Sequence, residues 1–394
     1  MFVEIAPLDT IFCRDGRSFG VNEAHAVDSI FPPPPSVMFG AMRGGIFVTQ
    51  NFAALGRNKM DPGWPKWFGD TESAGDLFQK GPLPVVDGQI MFPMPLDGYV
   101  KSGKNGEYTI STFRIIKNNS STSSLDLEHL LIPPEGKKLP KSTNIMWISA
   151  SSLTRYLNSE EEISLELNKD IYPQDELWTP ELRTNVGINP ETNAGKDAIL
   201  FSLKHVRMNS KRNARLLCKW GSNDSTSLQI LKDIITDTQG SLAVAGERRC
   251  GSVATSDLRW PDASINTITP DKEGYVSFRI YIATPAYFDG GWRPESDSNK
   301  ECIIKSSAGN VKATLLTAAV GKPFYLGGYD IHKRQQRPAR GFVPAGSVYH
   351  FKAKADQLEK IIKLNGQVIG DNDFLRAQGF GLCLLGNPIS NSQE

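Results

Sequence analysis

At 394 residues the chain exceeds what one ordinary core accommodates and predicts about two domains. Apolar residues make up 39%, enough for buried cores, while 35 glycines and 25 prolines point to many turns and weigh against a helix-rich architecture. A formal net charge of +1 excludes a globally basic nucleic-acid binder, so a polyanion site has to be local; cations exceed acids from Ser264 onward, and acids exceed cations before it.

The five cysteines (Cys13, Cys218, Cys250, Cys302, Cys383) are scattered, with no CxxC pair or Cys/His cluster. That argues against a zinc site and fits a reducing cytosol, so neither metal nor cofactor is expected. No apolar run approaches the ~20 residues that cross a bilayer, so no membrane partner is expected. Met1-Phe2-Val3-Glu4 enters a strand directly, without a basic-then-apolar leader, which predicts a cytoplasmic protein.

In chain order, Phe2 to Ala6 alternates as a first strand and leads into the turn Arg14-Asp15-Gly16-Arg17, flanked by Phe12 and Phe19. Two cations and an aromatic there fit a phosphate-binding loop with a base stacker; a turn closed by Asp15 fits equally. The stiff run Pro32 to Pro35 precedes a helix from Val37 to Phe47, for which Ser36 is the expected N-cap. Gly40, Gly44 and Gly45 inside that helix each cost about 1 kcal/mol relative to alanine, so something is expected to approach closely, with sheet packing favoured over a ligand. Arg43 is the helix's cation.

Residues 50–147, rich in Trp, Pro and Gly, read as a long insertion of short helices and hairpins, with 145–148 returning to the core as a strand. Residues 182–206 form a hairpin with a turn-rich tip, carrying Arg183 on its first strand. Leu228 to Thr236 predicts a helix. Gly246-Glu247-Arg248-Arg249-Cys250-Gly251 then sets two arginines between glycines, which fits either amide donation to phosphate or a structural bulge. Tyr275 to Thr284 alternates cleanly and opens the second domain. Leu326 to Phe351 follows, two strands bracketing a loop with Gly327, Gly328, His332, Lys333, Arg334, Arg337 and Arg340 and no acid among the cations. Clustered guanidinium groups of this kind fit a polyanionic partner. Asp356 to Leu364 predicts a helix, and Gly379-Phe380-Gly381 leads into a last apolar strand.

Several signatures are missing. There is no Walker sequence, no strand-GxGxxG-helix unit and no GxSxG, and Arg340-Gly341-Phe342-Val343 departs from an RNA-recognition signature at Pro344.

Four motifs together resemble the RAMP superfamily of CRISPR proteins, more narrowly the third subunit of the type III-B Cmr effector complex. They are Cys13-Arg14-Asp15-Gly16-Arg17-Ser18-Phe19 with the proline run into Ser36 to Arg43; Arg183 through Phe201; Gly246 to Arg249; and Gly327-Gly328-Tyr329-Asp330 through Tyr349, with the glycine-rich end at Gly379 to Gly386. They span nearly the whole chain. Ser18 stands where that family usually has proline, and residues 50–147 match little of its pattern.

The resemblance implies an α+β protein of two ferredoxin-like (RRM-like) domains with glycine-rich loops. Residues 1–262 would hold the first, with a loop-rich insertion around 50–147 and a thumb-like hairpin around 183–201; residues 270–389 would hold the second. It implies a non-catalytic subunit that binds the 5′ repeat-derived handle of crRNA and contacts both the large polymerase-like Cmr subunit and the first backbone RAMP subunit.

The physics of holding a single strand in fixed shape assigns roles to the candidates. Arg14, Arg17, Arg43, Arg183, Arg248, Arg249, His332, Lys333, Arg334, Arg337 and Arg340 are candidate phosphate or base ligands. Phe19 and Phe380 are candidate stackers, and Gly246, Gly327, Gly328, Gly379 and Gly381 would bring backbone amides to the RNA. Two other readings remain: a metal-independent endoribonuclease that matures crRNA with His25 or His332 as base, and a purely structural adaptor.

Overall fold

The computed structural model describes residues 1–14, 26–52, 63–103, 107–118, 127–133, 146–158, 162–189, 191–237, 240–246, 249–261, 268–297, 301–330 and 335–389. In chain order the first part of the chain supplies β1 (Phe2–Pro7), β2 (Ala26–Asp28), α1 (Pro35–Thr49), β3 (Leu77–Val86), β4 (Gln89–Pro93), β5 (Gly98–Ser102), β6 (Glu107–Thr112), β7 (Arg114–Lys117), β8 (His129–Ile132), β9 (Met146–Ser149), α2 (Ala150–Asn158), β10 (Ile163–Glu166), β11 (Ile171–Pro173), α3 (Gln174–Leu177), β12 (Trp178–Ile188), β13 (Gly195–Met208), β14 (Arg215–Ser222), α4 (Ser225–Asp237), β15 (Ser241–Ala245) and β16 (Arg249–Thr255). The second supplies β17 (Tyr275–Ile282), β18 (Glu301–Ile304), β19 (Val311–Ala319), β20 (Phe324–Asp330), β21 (Gln335–Phe342), β22 (Val348–Lys354), α5 (Leu358–Ile362), α6 (Asp373–Ala377) and β23 (Cys383–Gly386).

The result is a strand-rich α+β molecule with several antiparallel sheets. One eight-stranded sheet runs β11-β9-β4-β3-β14-β1-β16-β15, and one five-stranded sheet runs β18-β19-β22-β17-β23. Both contain the same local order: β3-β14-β1-β16 in the first and β19-β22-β17-β23 in the second.

Strand alternation explains the layering. Val3 and Ile5 of β1, with Leu216, Cys218 and Trp220 of β14, pack against Met38, Phe39, Met42 and Ile46 of α1 and Leu231 and Ile234 of α4. Phe2 and Leu217 point the other way, into a core shared with Tyr281, Val348, Leu382 and Leu384 of the second part. The first sheet is thus buried on both faces. Phe278, Ile280, Ile282 and Phe351 fill the far face of the second sheet, with Ile361 of α5.

Three expectations change. Helix α1 starts at Pro35, and Ser36 lies inside its first turn without capping it; a proline at the first helical position has its φ preset and loses no hydrogen bond there. Residues 50–147 are not wholly an insertion, because β3 pairs directly with β14 at the centre of the first sheet. Its sequence, LFQKGPLPVV, hides the strand: burial on both faces removes the alternation, and Gly81-Pro82 sits at the register shift between Leu217 and Lys219. Third, Arg337 and Arg340 lie on strand β21, not in a loop.

A fully buried ionic joint ties the two parts. Asp97, between β4 and β5, accepts from Tyr156 Oη at 2.8 Å and from Arg279 Nη1 at 3.4 Å, and His350 Nε2 stands 3.3 Å from it. Arg279 Nη2 also donates to the carbonyls of Tyr156 and Leu157 at the end of α2, at 3.1 and 2.9 Å, and its Nε donates to Asn387 O at 2.6 Å. Burial alone would raise the Asp97 carboxyl, but the facing His350 and Arg279 hold it below its ordinary value. Burial pushes His350 down, which keeps it neutral. Nearby, Lys80 of β3 donates from Nζ to Gly366 O and Gln367 Oε1 at 2.6 and 2.7 Å, its pKa lowered to about 8 by burial.

Candidate nucleic-acid interface

The structure gathers the described candidate arginines into two groups. The first lies at the root of the β12–β13 hairpin. Arg183 Nη2 meets Asp9 Oδ2 at 3.0 Å and Glu181 Oε1 at 2.8 Å, Arg207 Nη2 meets Asp9 Oδ1 at 3.0 Å, and Arg249 Nη1 meets Asp9 Oδ2 at 2.8 Å. Arg207 also pairs with Glu181. The Arg183 hydrogen bond, foremost, holds the Asp9 carboxyl down at about 2. Gly246 stands beside this group, where a Cβ would come within 3.0 Å of Phe12 O. Arg14 is exposed, its backbone bridged to Ser29.

The second group lines an open cleft of about 510 Å³ beneath the β20–β21 hairpin. Leu326, Phe342 and Phe380 form a small apolar cluster that roots the hairpin. A bulge between Leu326 and Gly328 sets Gly327 out of register, and Gly328 faces Arg337 across the ladder. Arg337 and Arg340 are exposed and rim the cleft. The Arg340 guanidinium lies 5.5 Å from the Tyr287 ring, and no carboxylate among the described residues pairs with it. The opposite wall carries Ser36, Glu72 and Phe374.

A second cleft, about 340 Å³, continues from it along α1 and shares Ser36, Thr71, Arg337, Phe374 and Gln378. Arg43 lies in its floor, 4.5 Å above the Phe68 ring, with Nη1 donating to Asp70 O at 2.8 Å. Burial lowers its pKa to about 10, so it stays cationic at neutral pH.

Several candidates have other roles. Phe380 cannot stack on a base: it is 2% exposed and lies flat against Phe342, with ring centroids 4.7 Å apart. Gly379 and Gly381 do not offer amides to RNA. Their N–H groups donate to Arg376 O at 2.9 Å and Pro285 O at 2.7 Å. Both have positive φ, and a Cβ would meet Gly81 O and Ile369 O, so the chain's own packing explains them. Of the three glycines in α1, only Gly45 packs against the core, where a Cβ would lie 2.8 Å from Leu242 Cδ2; at Gly40 and Gly44 it would meet nothing within 4 Å. Arg17, Phe19, His25, Arg248, His332, Lys333 and Arg334 lie outside the described residues.

Two glutamines escaped the sequence reading. Gln79 of β3, fully buried, donates from Nε2 to Pro35 O and Gln378 O, both at 3.1 Å, and accepts from Trp220 Nε1 at 3.1 Å. It therefore pins the start of α1 and the end of α6, the two walls of the cleft system, to the central sheet. The available signal was a lone amide inside an apolar run. Gln378 itself, 7% exposed, faces both clefts.

The family model for CRISPR-associated protein (Cas_Cmr3) matches residues 3–388. The chain belongs to the Cas_Cmr3 family. The resemblance to the third Cmr subunit read from the four motifs is therefore shown. A comparison with curated proteins returned no match. Among solved structures, chains from the type III-B Cmr-beta complex bound to cognate target RNA are similar. The one that also holds AMPPnP has 15% identity, covers 92% of this chain and 89% of that one, and has a TM-score of 0.45. The one without has 13% identity, the same coverage and the same TM-score. A chain of the Csm3-Csm4 subcomplex of a type III-A interference complex has 11% identity and a TM-score of 0.38, covering 90% of this chain and 94% of that one. Among the described residues of this Cas_Cmr3 protein, no helix is long and apolar enough to cross a membrane.

Proposed function

We propose that this Cas_Cmr3 chain is the subunit of a cytoplasmic type III-B CRISPR effector that grips the 5′ repeat-derived handle of crRNA and docks the large polymerase-like subunit and the first backbone RAMP subunit. The observation that carries the reading is the arginine-rimmed cleft. The stretch that stands out by charge in the sequence becomes a rooted hairpin whose Arg337 and Arg340 are exposed at the cleft rim. Phosphate contacts from Arg337, Arg340 and Arg43 would set the register of a single strand.

The two sheets with a shared strand order, β3-β14-β1-β16 with α1 and α4, and β19-β22-β17-β23 with α5, support two ferredoxin-like domains. The exposed aliphatic face of β12 (Leu182, Val186, Ile188) supports docking to a neighbouring subunit. The cleavage reading rests on His25 and His332, which lie outside the described residues, whereas the binding reading rests on the described arginine-rimmed cleft.

The test is the salt dependence of guide-RNA binding. Arg337→Ala with Arg340→Ala should weaken binding and flatten the log–log salt slope by about 1.4, two single-strand phosphate contacts at about 0.7 each. An unchanged slope would overturn the assignment.

A further inference from the structure

Two features of the cleft system have no explanation within the chain. The first is the outer face of α1. Gly40 and Gly44 are one turn apart and exposed, and a Cβ on either would meet nothing within 4 Å. Each lowers helix stability by about 1 kcal/mol relative to alanine, and internal packing gives no reason for it. The second is Gln378. Its backbone is fully used: its N–H donates to Phe374 O at 3.1 Å and its carbonyl accepts from Gln79. Its side-chain amide makes no hydrogen bond among the described residues, although the residue is only 7% exposed. It lines both clefts, with Phe374 and Arg337, and its side-chain donor and acceptor open onto the cleft, where water or a ligand satisfies them.

We infer that the two clefts form one channel for single-stranded RNA. The strand runs from the β20–β21 hairpin along the bare glycine face of α1, and the Gln378 amide reads the edge of one unstacked base on the way. This rests on the RNA-binding reading above and adds a path and a specificity-determining residue to it. The chemistry fits along the path, with Glu72 and Asp70 the carboxylates on its walls among the described residues. Arg337 and Arg340 supply the cationic rim where the strand enters, and Arg43 keeps a fixed positive charge under it. The missing side chains at Gly40 and Gly44 let a sugar–phosphate backbone lie against the helix, closer than any Cβ would permit. A glutamine amide presents one donor beside one acceptor, the complement of a base edge. Gln79 fixes both walls to the same strand, so the amide and the glycine face keep their spacing without the ligand. Phe47 and Trp64 border the far end of the channel and offer aromatic surface to a following base.

The test uses the full chain and a set of guide RNAs in which each handle nucleotide in turn is made abasic. For the unaltered protein, one position should stand out with a loss of about tenfold, the scale of one bidentate base contact. Gln378→Leu should abolish that position's effect and leave the salt slope unchanged. Gly44→Leu should keep or raise the melting temperature, because the helix gains and the added Cβ meets nothing within 4 Å, yet lower affinity for every guide about tenfold or more. Gln378→Leu with an unaltered abasic profile, or Gly44→Leu with unaltered affinity, would overturn the channel. If Arg337→Ala with Arg340→Ala still weakens binding in that case, the strand leaves the hairpin by another route and only the present inference fails. If that double substitution has no effect either, the RNA-binding reading fails with it.

Discussion

Two hairpins leave the molecule at equivalent points. β12–β13 lies in the chain between β3 and β14, and β20–β21 between β19 and β22, each pair being neighbours in its own sheet. Both carry arginines, but the arginines stand in opposite circumstances. At the first, Asp9 and Glu181 hold Arg183, Arg207 and Arg249 in a knot of three cations against two acids among the described residues. Among its described residues, one exposed face of β12 carries the aliphatic side chains Leu182, Val186 and Ile188. At the second, Arg340 rests on Tyr287 with no acid among the described residues, and Arg337 is exposed beside it. A cation's availability to RNA depends on its neighbours in space, which a charge count along the chain does not give.

The largest expected effect concerns the joint that sets one hairpin relative to the other. Asp97→Asn leaves Arg279 buried at 0% exposure without its counter-charge, which should cost about 3–5 kcal/mol. The loss would appear as a lower denaturant midpoint, and guide-RNA affinity should fall with it because the cleft walls come from both parts of the chain. An unchanged midpoint would mean that the α2 carbonyls and Asn387 alone satisfy Arg279. The unaltered protein should show the matching pH dependence. Asp97 and His350 both have folded-state pKa values depressed below their ordinary 3.8 and 6.5. The unfolded chain therefore takes up protons first. His350's contribution is fully present above about pH 6.5 and is lost as the pH falls from there, and Asp97's follows below about pH 3.8.

The next effect would make the hairpins alike. Asp9→Ala removes the carboxylate shared by Arg183, Arg207 and Arg249. If neutralisation is what separates the hairpins, guide-RNA binding should tighten several-fold and its salt slope should steepen by about 0.7 for each arginine that reaches phosphate. Stability should drop by no more than about 1 kcal/mol, since the knot is solvent-exposed. A slope that stays put would show that the first hairpin stands away from the RNA path whatever its charge.

How much of this the sequence could disclose follows from the range of each interaction. β17 was legible because Val276, Phe278, Ile280 and Ile282 alternate against a half-polar partner set; β3 was not, because both of its faces are buried and its Gly81-Pro82 looks like a turn. The cationic stretch around Arg337 and Arg340 was legible as composition. The fate of Arg183 was half legible: Glu181 lies two residues back on the same strand, but Asp9 lies 174 residues away. Phe380 looked like a stacker because a glycine-flanked aromatic carries no mark of burial, and Gln378 was invisible because a single neutral amide has no periodicity or charge to betray it. The α1 glycines were half legible. Their cost predicted a close approach, but whether the neighbour belonged to the chain required the helix faces, which assign Gly45 to the core and leave Gly40 and Gly44 open.

The smallest effect is also the sharpest discriminator between the hairpins. Arg183→Ala removes a cation that touches both acids of the knot and leaves Arg207 bridging Asp9 and Glu181 and Arg249 on Asp9. Among the described residues the local charge falls from one net positive to neutral, and the exposed pairs lost are worth under about 1 kcal/mol. Guide-RNA affinity should change by less than about twofold with no change in salt slope, whereas Arg340→Ala alone should flatten the slope by about 0.7. If Arg183→Ala flattens the slope as much as Arg340→Ala does, then Asp9 and Glu181 surrender their arginines when RNA arrives. The knot would then be a reserve of phosphate ligands, and the two hairpins would differ only in the free protein.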